Sequence, residues 1–328
     1  MKNILITGIR GFIGFNAIQR WVKLHPEYTY VGVDGNTYAD QFLSDKKSDW
    51  LRTHQIPLYY AKLGEVTAAP NIDEIVTTHK IDTIVHFAAE SHVDNSIASP
   101  DIFFKSNVLG TVDILNVAKM HNLRVHLVST DEVIGTKTPE DYSAEDANYN
   151  PSSPYSSSKA SAELIALSYH KTYGTRVTIS RCTNNIGEWQ MTEKLIPLTI
   201  LNALNNKKIP IYGNGLQRRF WVDVNFHNDA LMHILENGKI GEIYHIKPNK
   251  ENLLTNINLV KRILKAINSS ESLIEHVTDR LGHDTCYYLT DTKLSDLNVV
   301  DNTKFEDTLN RTIQWYIENI GDLNEYIH

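Results

Sequence analysis

Two short segments of the chain carry side chains that can move protons. Ser129-Thr130-Asp131-Glu132-Val133 places a hydroxyl beside two carboxylates, and Tyr155-Ser156-Ser157-Ser158-Lys159 places a phenol four residues before an ammonium. Oxidation of an alcohol by hydride transfer needs one base for the hydroxyl proton. The additional Asp-Glu pair therefore indicates that a second proton also moves, as it does when water is removed from a substrate.

The spacing of Tyr155 and Lys159 puts both side chains on one face of a helix. An ammonium close to a phenol favours the phenolate, so Tyr155 is predicted to act as a base near neutral pH. With 16 tyrosines in the chain, about one such pair is expected by chance. The position of the pair, at the start of the helix after the fifth predicted strand, supports its interpretation as a catalytic pair. The alternative is a tyrosine that packs at the helix end beside a solvated lysine.

The pair Asp131-Glu132 follows the end of a predicted strand. Two carboxylates at close range are costly to ionise together, so one is expected to hold a proton as an acid while the other acts as a base. A helix cap at Asp131, or simple solvation of both groups, explains the same residues equally well. Both interpretations stay open on residue chemistry alone.

A strand, a glycine turn and a helix open the chain. The run 3–7 is rich in β-branched residues and leucine, and it is followed by Gly8, Gly11 and Gly14 and then by apolar residues at helical spacing. Such glycines permit a tight turn, close approach of a pyrophosphate and close packing of the helix. Asp34 closes the second predicted strand, where a carboxylate accepts the ribose hydroxyls of NAD and disfavours the 2′-phosphate of NADP. The sequence therefore predicts NAD as cofactor; the alternative is a turn and a capping Asp without a ligand.

Strand and helix patterns alternate along the first half of the chain. Further strands are predicted at 58–61, 82–88, 125–129 and 176–181, and helices at 72–79, 102–121 and 156–173. This alternation predicts an α/β fold, a Rossmann doubly wound parallel sheet with a smaller C-terminal α/β substrate-binding lobe. We expect 1–183 to be the NAD-binding domain and 184–328 mainly the substrate lobe, with an interleaved boundary and helices at 253–267 and 305–320. The glycine turn, 88–92 and 130–132 should meet at one edge of the sheet.

Composition limits the class of protein. The 328 residues carry a net charge of −7, with 41% hydrophobic and 22% charged residues, as in ordinary globular proteins. The acidic balance argues against broad binding of nucleic acid, and no apolar run reaches the roughly 20 residues that span a bilayer. The first residues are predicted to form a strand and not a signal peptide. Cys182 and Cys286 lack the spacing of a zinc site, so we expect a cytoplasmic protein with free thiols and no metal.

Six motifs, in order along essentially the whole chain, closely resemble the dTDP-glucose 4,6-dehydratases of the extended short-chain dehydrogenase/reductase superfamily. The Thr-Asp-Glu set is far more specific than the glycine turn, and sister epimerases usually lack its carboxylate pair. The motifs are Thr7 to Gly14, Phe87-Ala88-Ala89-Glu90-Ser91-His92-Val93-Asp94, Ser129 to Val133, Pro154-Tyr155-Ser156-Ser157-Ser158-Lys159-Ala160, Glu193-Lys194-Leu195-Ile196-Pro197 and Val277-Thr278-Asp279-Arg280-Leu281-Gly282-His283-Asp284.

The resemblance implies a lyase that converts an NDP-hexose, either dTDP-glucose or UDP-glucose or UDP-N-acetylglucosamine, to the NDP-4-keto-6-deoxyhexose with loss of water. Such a step serves the biosynthesis of deoxysugars such as rhamnose. Tyr155, assisted by Lys159 and with Thr130 on the same oxygen, takes the proton of the sugar 4-hydroxyl while hydride passes to NAD. Glu132 then removes the C5 proton, Asp131 protonates the departing 6-hydroxyl, and hydride returns to C6. NAD is thus regenerated and stays tightly bound.

The resemblance also assigns binding residues, with no metal among the ligands. Arginines suit the nucleotide diphosphate because they make forked, charge-assisted contacts; the alternative for each cation is an ordinary surface charge. The residues implied for NAD are Gly8, Gly11, Phe12, Ile13, Gly14, Asp34, Lys62, Leu63, Ala88, Ala89, Tyr155 and Lys159. Those implied for the substrate are Ser91, His92, Asn185, Lys194, Leu195, Tyr212, Arg219, Asn249, Arg280 and His283.

Several positions depart from the family pattern. Phe220 stands for a usual Asp, Ile134 for a usual Tyr, Asn95 for a usual Arg, Lys62 for an Asp that meets the adenine, and Glu188-Trp189 for Pro-Tyr. The resemblance implies that these positions lie near the sugar and the nucleotide, so they indicate a shifted specificity, for example a UDP-linked or N-acetylated hexose.

Two other functions are compatible with parts of the pattern. A sugar-nucleotide 4-epimerase or decarboxylase shares the fold, NAD and the Tyr-Lys pair, and a non-catalytic protein could keep NAD or a nucleotide sugar without turnover. The predicted helices at 102–121 and 156–173 are more apolar than one buried face requires, and in this superfamily the equivalent helices form a dimer interface. We therefore expect a homodimer; the apolar residues concerned are Phe103, Phe104, Val108, Leu115, Val117, Leu164, Ile165 and Leu167.

Overall fold

Seven parallel strands form the central sheet of the computed structural model, which describes residues 2–35, 41–138, 140–141, 144–290, 292–323 and 326. With strands numbered in chain order, these are β1 (Asn3–Thr7), β2 (Thr29–Asp34), β3 (Leu58–Tyr60), β4 (Thr83–His86), β5 (Arg124–Thr130), β6 (Arg176–Cys182) and β10 (Ile243–Ile246). Their order across the sheet is β3-β2-β1-β4-β5-β6-β10. The predicted doubly wound α/β fold is therefore confirmed.

Both faces of this sheet are covered by helices. Ile4 and Ile6 of β1 belong to one apolar cluster, and Leu5 between them belongs to the other, as expected for a parallel sheet buried on both sides. The sheet is thereby fixed between two cores. The covering helices are α1 (Phe12–Leu24), α2 (Ser44–Thr53), α3 (Ala68–His79), α6 (Gly110–His121), α7 (Pro154–Tyr173) and α9 (Val224–Asn237).

The segment predicted as one helix at 102–121 has an irregular centre. After the short helix α4 (Val93–Ala98), it consists of α5 (Pro100–Phe103), a π-helical turn (Phe104–Leu109) and α6. The Asn107 amide of this π-turn binds both the N–H and the C=O of Glu90, at 2.8 and 3.0 Å, and donates to Ser158 Oγ at 2.9 Å. The prediction of a regular helix was wrong here, because the wider turn brings Asn107 against a loop of the strand-end edge.

Helix α7 begins two residues earlier than predicted. Ser153 caps it, since its Oγ accepts the N–H of Ser156 at 3.1 Å and the Ser156 Oγ accepts the N–H of Ser153 at 2.9 Å. Pro154 occupies the first helical position, where a missing N–H costs nothing. The capped start fixes Tyr155 in the first turn.

Two short sheets and five helices make up most of the remaining described residues. β7 (Asn184–Ile186), β9 (Arg218–Asp223) and β11 (Leu253–Thr255) form one sheet, and β8 (Ile209–Tyr212) pairs with β12 (Ile274–Val277). The helices are α8 (Leu195–Leu204), α10 (Asn256–Ala266), α11 (Thr292–Asp296), α12 (Phe305–Glu318) and α13 (Ile320–Leu323). The helix predicted at 253–267 was wrong over its first three residues, which pair antiparallel with β9. Among the described residues, no helix combines the length and apolar character needed to cross a membrane.

The C-terminal half contributes to the large sheet. β10 pairs with β6, and α9 packs on α1, where Asn228 accepts a hydrogen bond from the Trp21 indole at 3.1 Å. Residues 224–246 thus complete the body built by the first half. The division at 183 stays a prediction, and any lobe boundary must be crossed more than once.

The carboxyl ends of five strands meet at one edge of the sheet. Thr7, Asp34, His86, Thr130 and Cys182 are the last residues of β1, β2, β4, β5 and β6. Because these strands run parallel, the loops that follow them open into the same space.

Candidate active site

Two cavities meet at the strand-end edge. The first, of about 490 Å³, is lined by the glycine turn, Asp34 and the ends of β4, β5 and β6. The second, of about 650 Å³, lies between this edge and the C-terminal loops. Ser91, Glu132 and Lys194 line both cavities. Ligands bound in the two cavities would therefore approach each other near Glu132.

The glycine turn packs too closely for side chains. Gly8 has a φ of +70°, and a Cβ on it would lie 2.8 Å from the Ala88 backbone; a Cβ on Gly14 would overlap the Gly8 carbonyl oxygen. The Asp34 carboxylate accepts the N–H groups of Arg10 and Gly35 at 2.8 and 2.9 Å and lines the first cavity. Every residue predicted to bind NAD lines this cavity.

Lys62 also lines the first cavity, at its exposed rim. Its Nζ lies 3.6 Å from a Glu65 carboxylate oxygen. The charge that departs from the family pattern is thus paired at the rim, and Leu63 next to it is buried against the sheet.

Thr130, Asp131 and Glu132 form the end of β5 and the 3-10 turn that follows. The Thr130 Oγ1 accepts the N–H of Glu132 at 3.3 Å and lies 3.3 Å from Asp131 Oδ1, to which it donates. The cap of this turn is therefore Thr130, and the alternative of a cap at Asp131 is wrong.

The two carboxyl groups have unequal surroundings. Asp131 is 2% exposed, and its Oδ2 has no hydrogen-bond partner among the described residues. Burial and the neighbouring Glu132 charge raise the pKa of Asp131 to about 8. Burial raises the pKa of Glu132 as well, while the nearby charges of Arg219 and Lys194 lower it. At neutral pH Asp131 can hold a proton for donation.

Tyr155 and Lys159 lie on α7 beside this turn, and both line the first cavity. The Lys159 ammonium donates to the Val128 carbonyl at 2.8 Å, and burial lowers the pKa of Lys159 to about 8. Burial, with Glu132 as the next cause, raises the pKa of Tyr155 well above its usual value. In the chain by itself burial thus favours the protonated phenol, and the use of Tyr155 as a base stays a prediction.

Arginine side chains close the second cavity. Arg280 binds Asp94 through two hydrogen bonds of 2.6 and 2.8 Å, and its guanidinium lies 5.0 Å from the ring centre of Tyr212, whose hydroxyl donates to the same carboxylate at 3.1 Å. Arg219 donates to the Asp284 carbonyl at 2.9 Å and stacks 4.2 Å from the ring centre of Tyr287. The cavity thus contains positive charge within an overall acidic protein.

The ten residues predicted to bind the substrate divide into three groups according to the cavity that they line. The second cavity is lined by Ser91, His92, Lys194, Leu195, Tyr212, Arg219, Arg280 and His283. Asn185 lines the first cavity only, and its buried Oδ1 has no hydrogen-bond partner in the described part of the chain. Asn249 lines neither cavity, since its amide donates to the Asp301 carbonyl at 2.9 Å.

Two departures from the family pattern face away from the cavities. Phe220 is buried with Cys286 and Tyr288, while its neighbour Arg219 faces the second cavity. Ile134 is buried with Leu289. For these positions the interpretation as substrate surroundings is wrong, because alternate residues of β9 face opposite sides and because Ile134 points into the core.

Sequence reasoning missed several residues. Asp94 ends the motif that begins at Phe87, and Tyr287 lies three residues after the motif that ends at Asp284. Both line the second cavity, although the sequence analysis assigns neither of them to the site. Asn107 contacts Ser158 of α7, and Glu163 contacts Ser129 of β5. No short sequence motif marks either residue as part of the site.

Comparison with known proteins gives consistent results. Residues 4–246 match the model of the NAD-dependent epimerase/dehydratase family. A dTDP-glucose 4,6-dehydratase of Mycobacterium tuberculosis is 38% identical over 96% of this chain and 93% of that protein. A dTDP-glucose 4,6-dehydratase of Streptomyces venezuelae, solved with NAD bound, is 36% identical with a TM-score of 0.91, over 97% of this chain and 98% of that one. A UDP-glucose 4-epimerase of Thermotoga maritima, at 21% identity and a TM-score of 0.86 over 97% and 99% of the two chains, shares the fold.

Proposed function

This chain belongs to the NAD-dependent epimerase/dehydratase family, and from that premise we propose that it is an NAD-dependent nucleotide-sugar 4,6-dehydratase. It converts an NDP-hexose, with dTDP-glucose as the first candidate, to the NDP-4-keto-6-deoxyhexose with loss of water. The observation that carries this proposal is the unequal carboxyl pair Asp131-Glu132 beside Tyr155 and Lys159, at the junction of the two cavities.

The first cavity fits NAD. Its glycine turn leaves room for a pyrophosphate where side chains would collide, and Asp34 offers the carboxylate that suits ribose hydroxyls. When bound, NAD supplies a cationic ring that accepts hydride from sugar C4 and later returns it to C6. The residues that hold it are those of the glycine turn, Asp34, Leu63 and Ala88.

The chain's own residues handle the protons of the oxidation. Tyr155 accepts the proton of the sugar 4-hydroxyl, and Thr130 hydrogen-bonds the same oxygen. Because the phenol is protonated in the chain alone, its ionisation depends on positive charge beside it, which the Lys159 ammonium supplies from the same helix face. The step leaves a 4-keto group, which makes the C5 proton acidic.

The carboxyl pair then removes water. Glu132 takes the C5 proton, and protonated Asp131 gives its proton to the 6-hydroxyl, so that the C6–O bond breaks and water leaves. The raised pKa of Asp131 suits an acid that must be protonated at neutral pH. Burial raises the pKa of Glu132 too, and the nearby Arg219 and Lys194 charges partly offset that effect. Lys194, Arg219, Arg280 and His283 are proposed to hold the diphosphate.

Product mass tests the reaction. The purified protein, incubated with dTDP-glucose, UDP-glucose and UDP-N-acetylglucosamine in turn, should give a nucleotide sugar lighter by one water. A product of unchanged mass would instead indicate a 4-epimerase. Absence of turnover on every hexose nucleotide would favour a non-catalytic protein that binds NAD or a nucleotide sugar.

The same panel tests the nucleotide and sugar. We expect dTDP-glucose to be turned over, since Phe220 and Ile134 lie outside the cavities and the relatives are dTDP-glucose 4,6-dehydratases. Lys62 lines the first cavity and bears on cofactor binding, not on the sugar. Turnover of a UDP-linked or N-acetylated hexose alone would contradict this expectation and restore the hypothesis of shifted specificity.

We further propose a cytoplasmic homodimer that works in deoxysugar biosynthesis such as that of rhamnose. The dimer proposal is supported by exposed apolar side chains on three adjacent elements, α5, the π-turn and α7. They are Ile102, Phe104, Leu109 and Leu164. Phe103, Leu115 and Val117, in contrast, are buried within the chain and are not available to a partner. Metabolite analysis of a deletion strain, with localisation of the tagged protein, tests the pathway and the compartment.

A further inference from the structure

Glu163 lies behind the candidate active site and lines neither cavity. It is one helical turn beyond Lys159 and two turns beyond Tyr155 on α7, and it is fully buried, as is its ion-pair partner Arg181 at 2.9 Å. The carboxylate accepts hydrogen bonds from Ser129 and Tyr149 in addition to the guanidinium. A buried carboxyl group with this many donors connects three parts of the chain.

Each donor borders a part of the catalytic site. Ser129 precedes Thr130 on β5, and Arg181 precedes Cys182, which lines the first cavity, on β6. Tyr149 belongs to the loop that leads to the Ser153 cap of α7. Glu163 therefore ties the helix that carries Tyr155 to the two strand ends that face it.

Stability alone explains this pair poorly. Taking two charges out of water costs several kcal/mol per ion, and apolar residues of similar volume often give an equally stable or more stable core. Ser129, which donates to Glu163, lines the first cavity, and Arg181 adjoins Cys182, which also lines it. The arrangement is therefore better explained by a role in the reaction.

The charge of Glu163 also acts on Lys159. The groups that face the Lys159 ammonium are the Val128 carbonyl from β5, Cys182 from β6, His86 from β4 and Glu163 from its own helix. Burial lowers the pKa of Lys159, and Glu163 is the first cause that raises it. A neutral group at 163 would leave the ammonium less favoured.

We propose that Glu163, paired with Arg181, is a positioning residue for the 4,6-dehydratase reaction, an inference that rests on the proposed function. Through Ser129 it fixes Thr130, and through its charge it keeps Lys159 in the ammonium form that assists Tyr155. It touches neither substrate nor cofactor.

The pKa values of Asp131 and Lys159 are both about 8, so the pH dependence of the complete reaction would not distinguish the two groups. The test therefore measures sugar oxidation separately from water loss. In a Glu132→Gln parent, the rate of C4 oxidation is followed by the absorbance of reduced nicotinamide as pH increases. Adding Glu163→Gln should move the alkaline limb of this rate to lower pH by about one unit. Asp301→Asn, another buried carboxylate-to-amide change, should leave the limb in place. An unmoved limb with Glu163→Gln would overturn the proposal.

A second variant keeps the proposal testable if Glu163→Gln does not fold. Ser129→Ala leaves the ion pair intact and removes one hydrogen bond next to Thr130. It should lower kcat about tenfold, the size of a net hydrogen bond of about 1.4 kcal/mol, with KM and the alkaline limb unchanged. Wild-type kcat in Ser129→Ala would overturn the positioning role. Failure of the Glu132→Gln parent to oxidise any hexose nucleotide would instead refute the proposed function.

Discussion

Asp131 and Glu132 are consecutive in sequence, yet they lie in different surroundings. Asp131 is 2% exposed and lines only the first cavity, and its Oδ2 has no hydrogen-bond partner among the described residues. Glu132 borders both cavities and lies near cations. In the proposed reaction these different surroundings let one carboxyl group act as an acid and the other as a base.

Replacing Glu132 by Gln should separate the two halves of the reaction. Without the base for the C5 proton, water loss should fall by at least about 100-fold. C4 oxidation should persist, because Tyr155, Lys159 and Thr130 are unchanged. Rapid mixing with dTDP-glucose, read by reduced-nicotinamide absorbance and product mass, measures both halves. Glu318→Gln, a surface change on α12, should behave as wild type, and water loss at a normal rate in Glu132→Gln would refute its role as base.

Asp131 should make the folded protein less stable as pH rises. Its pKa increases from 3.8 to about 8 on folding, so the folded state holds this proton more tightly than the unfolded chain does. The stabilisation is complete below about pH 4 and is lost as pH rises through 8. Asp131→Asn should therefore raise the melting temperature at pH 9 by at least about 2 °C and abolish water loss. Melting curves at pH 5 and pH 9 check this; an equal shift at both values would contradict the pKa assignment.

At the scale of elements, the glycine turn and α1 depend on contacts that leave no space for a methyl group. Gly14 lies in the first turn of α1, directly against the Gly8 carbonyl. The turn can therefore keep its shape only while this position has no side chain.

Gly14→Ala should displace the turn and reduce NAD binding. The methyl group would collide with backbone that cannot rotate away, so we expect at least a tenfold loss of affinity and a lower melting temperature, about 1–3 kcal/mol in stability. Bound nucleotide released on denaturation and thermal melting measure these effects. Gly321→Ala, with nothing within 4 Å of its added Cβ, is the control. Full occupancy by NAD in Gly14→Ala would show that the turn tolerates a side chain.

Periodicity predicted six of the seven strands of the central sheet, but it missed β10 and the interruptions of the predicted helices. The six predicted strands follow from short apolar runs and α7 follows from residues at helical spacing, because both signals are local. The π-turn at Phe104–Leu109 and the strand Leu253–Thr255 depend on partners far away in sequence, Glu90 and β9. No window of the sequence contains those partners.

The site residues could be predicted where a motif follows the end of a strand. They were harder to predict where the direction of a single side chain determines whether it lines a cavity. All the residues predicted for NAD line one cavity, since the carboxyl ends of parallel strands must meet. The side-chain directions of Phe220 and Asn249 could not be predicted from the sequence. A shift of one residue in strand register decides which side of the sheet Phe220 faces. A single hydrogen bond to Asp301 holds Asn249 away from the site.

At the scale of the whole molecule, the exposed apolar face predicts self-association. Leu164 on α7 is 51% exposed, and Phe104 and Leu109 on the π-turn, which packs against α7, are also exposed. Apolar side chains grouped in this way on packed elements commonly mark an interface.

Leu164→Arg should convert a dimer to a monomer. A charge in the centre of an apolar interface would be buried without a partner on each protomer. Sedimentation velocity at micromolar concentration measures the change. Leu24→Arg is the matched control, because Leu24 is 52% exposed at the end of α1, outside the predicted face. A monomeric wild type would refute the proposed dimer directly.

The position of β10 has a consequence for biosynthesis on the ribosome. Ile243–Ile246 covers the outer edge of β6, so a nascent chain that has emerged only to residue 183 presents an open β6 edge. The NAD-binding half therefore completes its sheet only after some 60 further residues have been synthesised. Until then the growing polypeptide offers unpaired amide and carbonyl groups to its neighbours, and premature termination in this interval should yield aggregates.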